Sequence, residues 1–250
     1  KQSYDFNIEQ IKNLSLEEKI SRKKNLNLFY KSGFPSKQIE DWKFTDLNSI
    51  LSKKFENISN EVTFDSNKEL EVIKKFEHNY IFLINGKIIS KSFVHEEKNK
   101  ILIKDFDEKK TTNLYPSNTL ALLNDALSLG GFSLEIIKNY KLKKPLVVYN
   151  YFSKNLKNKI LNNKNSIKLN KGSELTLIEY NDRYTESNFI KNTIDTVSLD
   201  DNAVLKNIFI QNSKSNGHFY KHIKASLESS SNYENFILSS GLKLNKIEIE

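Results

Sequence analysis

The chain of 250 residues contains no cysteine and no methionine. Without cysteine there can be no disulfide and no thiolate ligand, so the commonest routes to zinc or iron–sulfur coordination by this chain alone are closed. The missing methionine extends to position 1, and Lys1 is therefore expected to follow residues of a longer product. Only Arg22 and Arg183 are arginines, although the net charge is +8. Base readout and bidentate phosphate recognition favour arginine, and the lysines are spread along the whole length. A genome rich in A and T yields such Lys, Asn and Ile usage with no selection for a polyanion, which argues against nucleic acid as a partner. With seven glycines in all, and no P-loop, Rossmann glycine pattern or serine elbow, a phosphate cradle is not expected. The longest apolar runs, Tyr80 to Ile84 and Pro145 to Tyr149, fall far short of the ~20 residues that span a bilayer. No basic-then-apolar leader opens the chain, and a cytoplasmic protein with no membrane partner is expected.

What is present is enough for a real core. At 38% hydrophobic and 28% charged residues the composition is globular, and a chain of this length buries roughly 70–75% of its unfolded surface. The most informative stretch is a block that returns three times. Leu169, Leu199 and Leu227 open it; Leu175, Leu205 and Tyr233 follow six residues on, Ile178, Ile208 and Phe236 nine on, and Tyr180, Ile210 and Leu238 eleven on. Between the first two positions lies a small or polar turn, Lys171-Gly172-Ser173, Asp201-Asn202-Ala203 or Ser229-Ser230-Ser231. A unit that turns at one place and shows the same apolar positions can stack on copies of itself, which is the logic of a solenoid. Alternation of Ile194, Thr196 and Ser198 with Asp195, Val197 and Leu199 sends one set inward and the other toward water. On pattern alone, an antiparallel sandwich with hairpins of similar length is the alternative.

Upstream, apolar residues from 5 to 31 recur near the helical period. Ser15 with Glu18 makes a capping box for a second helix reaching about Ser32, closed by Gly33 with Pro35 beyond. Asn85-Gly86 between two apolar runs predicts a hairpin. Leu120 to Leu129 reads as a helix, with Leu120, Leu123 and Leu127 on one face and Asn124 and Asp125 on the other. Leu134 to Ile137, Leu146 to Tyr149 and Ile160 to Leu169 read as strands. The expected organisation is a small helical N-terminal lobe over 1–75 and a mainly β domain over 76–250, with a mixed α/β segment and an inserted helix near 120–129. The chain ends at Ile247-Glu248-Ile249-Glu250, within an alternating strand, so the β domain is expected to be truncated there.

Candidate chemistry is sparse. His218 and His222 lie four apart, but on a strand that spacing is about 13 Å, too far to grip one ion; they read as structural, as do the isolated His78 and His95. Asp200, Asp201 and Glu179 invite comparison with solenoid enzymes that cleave polysaccharides, yet Asp-Asp-Asn is ordinary turn chemistry, and all three read as turn or surface. Trp42 and Phe44 could stack a ligand; with Leu47 nearby they read instead as an anchor docking the lobe onto the strands. No catalytic, cofactor-binding or metal residue is assigned.

Pro35, then Glu40-Asp41-Trp42-Lys43-Phe44-Thr45, then Leu47 resemble the N-terminal signature of the SufB/SufD family of iron–sulfur cluster assembly proteins, on its SufD side. Leu123-Asn124-Asp125-Ala126-Leu127, Lys144-Pro145-Leu146 and Gly172 to Tyr180 fit in order. The resemblance implies a right-handed parallel β-helix behind a helical lobe, with about the first half to two-thirds of a typical member present. It implies a non-enzymatic scaffold of the Suf complex, partnered by a SufB-like paralogue and, through segments beyond residue 250, by a SufC-like ATPase. It also implies that any iron–sulfur cluster sits at an interface with a partner, this chain binding no cofactor alone. A plastid-type organelle is the alternative compartment. The alternative function is a basic β-solenoid that binds or cleaves an anionic polymer.

Overall fold

The computed structural model describes residues 4–11, 13–45, 47, 55–57, 71–106, 118–153, 156–182, 188–212 and 216–250. Arg183 and Asp46 lie outside these residues. The described part is mainly β and is built as a parallel solenoid of four coils, each contributing one strand to each of two sheets.

The first sheet runs β1 (Tyr4–Asp5), β2 (Phe55–Asn57), β8 (Lys159–Leu169), β10 (Phe189–Leu199), β12 (Gly217–Leu227), β14 (Leu244–Ile249), with β6 (Phe132–Ile136) also on β8 and β5 (Ile101–Asp105) antiparallel to β6. The second runs β4 (Lys87–Ser92), β3 (Asn79–Ile84), β7 (Leu146–Tyr151), β9 (Glu174–Asp182), β11 (Val204–Gln211), β13 (Asn232–Ser239). All ladders between successive coils are parallel. The repeat read from the sequence is their register: Leu199 stands opposite Leu169 and Leu227, Leu205 opposite Leu175 and Tyr233, and Ile208 opposite Ile178 and Phe236. The sandwich alternative is thereby excluded for these residues.

The four repeated apolar positions divide between two faces. Leu169, Leu175, Leu199 and Leu205 are buried in the lumen, with Ile167, Val197 and Leu177 around them. The third and fourth positions have the opposite pleat parity; Ile178 and Tyr180 pack on the outside of the second sheet against Phe82, Val147 and Tyr149. Ile194 is likewise outside the lumen, but it is covered: with Ile160, Ile190 and Tyr220 it joins a core made with the N-terminal segment. β10 is therefore buried on both faces over most of its length.

At the N-terminus the expectation of two helices between 5 and 31 is corrected. One α-helix forms, α1 (Leu16–Ser32), with the Ser15–Glu18 capping box made in both directions and Gly33 ending it at φ 70°. Before it, β1 and a single 3-10 turn at Ile8–Gln10 carry Phe6, Ile8 and Ile11 into the same core as Leu26 and Phe29. Asn13 in the left-handed region (φ 64°) interrupts any continuous helix. The helix α2 (Thr119–Leu127) is capped by the Asn118 side chain on the Ala121 N–H. Arg22 of α1 donates to the carbonyls of Ala126 and Ser128, both at 3.0 Å, and so satisfies acceptors at the C-terminal end of α2. Asn124, on the helix face opposite Leu120, Leu123 and Leu127 in the sequence reading, is fully buried too; its amide bridges the carbonyls of Asn163 and Asn192 on adjacent strands. Asp125 is paired with Lys164 at 2.7 Å.

The expected hairpin forms between β3 and β4, with Asn85 and Gly86 both at positive φ (48° and 83°), as a type I′ turn requires. Gly131 is the tighter requirement. Its φ is +131°, and a Cβ placed there would lie 1.5 Å from the carbonyl oxygen of Lys164, a backbone atom that cannot rotate away. Gly131→Ala is expected to cost about 1–3 kcal/mol, read as a lowered urea midpoint with an unchanged m-value.

Candidate functional site

Counting in twos along the strands places a second set of residues inside the solenoid. In β9 the inward parity of Leu175 and Leu177 continues to Glu179 and Asn181; in β10 that of Leu199 and Val197 runs back to Asp195, Thr193 and Lys191; β12 contributes Lys221 and β11 Asn207. All are buried. Two lysines and two carboxylates thus face one another where water is excluded, in balanced charge. Lys221 is the hub: its ammonium lies 2.6 Å from Glu179 Oε2 and 2.7 Å from Asp195 Oδ2. Asn165 donates to Asp195 Oδ1 at 2.7 Å, and Asn207 to Glu179 Oε1 at 3.3 Å. Lys191 donates to Asn181 Oδ1 at 3.2 Å and is otherwise cushioned by the rings of Phe152 and Phe219, each 5.3 Å from its Nζ.

Burial would push the Glu179 carboxyl up, but the charge and hydrogen bonds of Lys221 hold it below the ordinary carboxylate value. Asp195 goes the other way: burial and the neighbouring Glu179 charge raise it against the pull of Lys221. Burial and the Lys221 charge bring Lys191 down to about 8. Burial disfavours the Lys221 cation too, yet Asp195 and Glu179 raise it above the usual lysine range. Tyr233, above the cluster in β13, is pushed up to about 12 by burial.

A base with a depressed folded-state pKa binds fewer protons folded than unfolded between those two values, so stability rises with pH across that window. For Lys191 the window runs from about 8 to its ordinary 10.5. Tyr233 and Lys221, raised in the fold, reverse the trend above about 10. The free energy of unfolding is therefore expected to climb between pH 8 and 10, as read by urea titration, and Lys191→Met is expected to flatten that climb.

Of the residues singled out from sequence, all but Glu179 fall elsewhere. His218 and His222 lie on the outer face of β12. Burial lowers the His218 pKa. His222 is held by Asn118 at Nδ1 (2.9 Å) and by Glu250 at Nε2 (2.9 Å); with the Asn118 amide donating, the ring carries its proton on Nε2 and donates to Glu250. His78 is buried between Tyr149 Oη (2.8 Å) and the Phe76 carbonyl (2.9 Å), and His95 lies in the turn after β4. Asp200 and Asp201 form the turn read for them, with Asp201 paired to Lys171 at 2.9 Å. Glu179 is a correction: read as turn or surface, it belongs to the lumen, because its position shares the pleat parity of Leu175 and Leu177. Trp42 is the anchor, 5% exposed, with its ring 5.6 Å from that of Tyr220 and the Lys246 ammonium 4.8 Å over it; Lys246 also donates to the Asp41 carbonyl. Phe44 does not share that role and is 91% exposed beneath Lys43. Among the described residues no group of three or more His, Asp or Glu side chains is placed to hold a metal ion, and no helix is long and apolar enough to cross a membrane.

A parallel solenoid with a charged lumen, clasped by a helical N-terminal segment, is the class of structure defined so far. Residues 2–148 match the family described as the SufBD protein N-terminal region, and residues 151–250 match the SufBD core domain of SUF system FeS cluster assembly. The first match alone covers more than half of the chain, which belongs to the SufB/SufD family. Comparison with curated proteins found no match.

Proposed function

We propose that the chain is a SufD-type scaffold subunit of the Suf machinery, acting with a SufB-like paralogue and a SufC-like ATPase in the cytoplasm, and not an enzyme in its own right. The family shown above assigns the chain to iron–sulfur cluster assembly, and the signature around Trp42 favours the SufD side of it. The observation that supports the scaffold role is the stack of coils, in which each strand is paired in parallel with its counterpart in the next coil along both sheets, so that the body is stiff.

In this reading the cluster is cargo. With no thiol in these residues, the thiolate ligands come from a partner and the cluster rests at the shared interface. Expression of the full-length protein is expected to restore cluster assembly in a strain lacking its SufD, and to leave a strain lacking its SufB unrescued. Rescue of the SufB-deficient strain alone would reverse the assignment.

A further inference from the structure

Helix α1 carries apolar side chains on two faces, and the fold uses one of them. Leu26 and Phe29 turn into the core, while Leu16 (75% exposed), Ile20 (61%) and Leu28 (37%) stand in solvent. With Lys24 these three form a single i±4 ridge, the kind of ridge that packs into the groove of another helix. Glu17, Lys24 and Lys31 are exposed on the same side and make no ion pair among the described residues. Lys19 and Lys23, by contrast, are turned to Glu9. Counted outward from Lys24, the positions four away are Ile20 and Leu28, those seven away are Glu17 and Lys31, and those three away are Ser21 and Asn27. Offsets of three, four and seven stay on one helix face. The face is therefore complementary to itself when reversed: apolar meets apolar, carboxylate meets ammonium, and hydroxyl meets amide.

We infer that the outer face of α1 is a self-association surface, and that its occupant is α1 of a second copy of this chain, packed antiparallel about a two-fold axis through Lys24. Each Ile20 then meets Leu28 of the other copy, each Glu17 meets Lys31, and each contact is made twice, as an isologous interface requires. The two Lys24 stems cross at the axis and their ammonium groups reach outward to water. A lipid surface would gain nothing from Glu17 and has no use for the reversed order of charges. One face of a 17-residue helix is small against the roughly 1,200 Å² or more that a stable interface buries, so the association is reversible and depends on concentration. It joins two copies whether or not the chain acts as a SufD-type scaffold.

Sedimentation equilibrium of the full-length protein reads this contact. The weight-average mass of the wild type is expected to rise with concentration. Glu17→Lys and Lys31→Glu each set like charges together twice per dimer, and each is expected to weaken the association about tenfold. An equimolar mixture of the two variants is expected to regain the wild-type association, because every pair across the axis is then opposite in charge. Fraying of α1 by a charge misplaced against its dipole would not be cured by mixing. Ile20→Ser, at an exposed position, is expected to abolish the rise in mass while leaving the thermal midpoint unchanged. A mass independent of concentration, an association that Ile20→Ser leaves intact, or a mixture no heavier than its separate components would each overturn the inference. So would a monomer that sediments with phosphatidylserine vesicles and ceases to do so as Ile20→Ser, which would assign the ridge to a membrane surface.

Discussion

Lys221→Met is expected to destabilise the protein by about 3–5 kcal/mol, the loss that follows when one member of a buried ionic group is removed and its partners stay behind. Glu179 and Asp195 would then face each other in the lumen with no cation between them. Against a typical total of roughly 5–15 kcal/mol this is a large part of the stability. The sign of its pH dependence follows from the carboxyls. In the wild type, Glu179 is depressed below its ordinary 4.5, so its contribution is present above that value and is lost as pH falls through the folded pKa. In the variant both carboxyls are driven upward and bind protons more tightly folded than unfolded, so the deficit should shrink as pH is lowered toward 4.5. Adding Glu179→Gln and Asp195→Asn to Lys221→Met should recover much of the loss at neutral pH. Urea titrations of the single and triple variants at pH 5 and 7.5 check both statements; a Lys221→Met protein as stable as the wild type at pH 7.5 would mean that the cluster is hydrated.

Trp42→Ala is the second large effect. The indole is buried against Tyr220 and under Lys246, where it ties the N-terminal segment to the third and fourth coils. Removing it should cost roughly 3–5 kcal/mol, the usual range for a buried aromatic cut to alanine. Hydrogen exchange locates the loss: amides of α1 and β14 should exchange faster in the variant, and Trp42→Phe should retain part of their protection. Phe44→Ala, two residues along the same motif, should stay within ~0.5 kcal/mol of wild type because the ring is in solvent. If the two alanine variants behave alike, the docking of this segment is wrong.

The contrast between Trp42 and Phe44 marks where sequence reasoning stops. Their types and spacing announce a docking motif, but which ring turns inward depends on the 3-10 turn at Glu40–Trp42. The coils were legible for a different reason: a stacked repeat writes its register into the spacing, and Leu169, Leu199 and Leu227 are paired residues as well as similar ones. Local chemistry with a single solution was legible too, as at the Ser15 cap and the Asn85-Gly86 turn.

The charged lumen was hidden because polar residues at inward positions look like a solvated face. Glu179, Asp195, Lys191 and Lys221 are brought together only by the coiling of the chain, which pairs β10 with β12 in one sheet and sets β9 of the other sheet across the lumen from them. The signal was nevertheless present: the parity fixed by Val197 and Leu199 already pointed Asp195 and Lys191 inward. Asn124 escaped for a related reason. A helix covering one sheet can bury a polar side chain when strand-edge carbonyls, here of Asn163 and Asn192, are there to receive it. The N-terminal segment misled because its apolar residues keep a helical spacing while Asn13 breaks the backbone and Phe6 enters the core from an extended strand.

The account rests on this solenoid serving as a structural partner within a Suf complex. Native mass spectrometry of the full-length protein co-expressed with a SufB-like paralogue and a SufC-like ATPase tests that most directly. A complex containing all three is the predicted result. A wild-type protein that remains alone in the presence of both would contradict it.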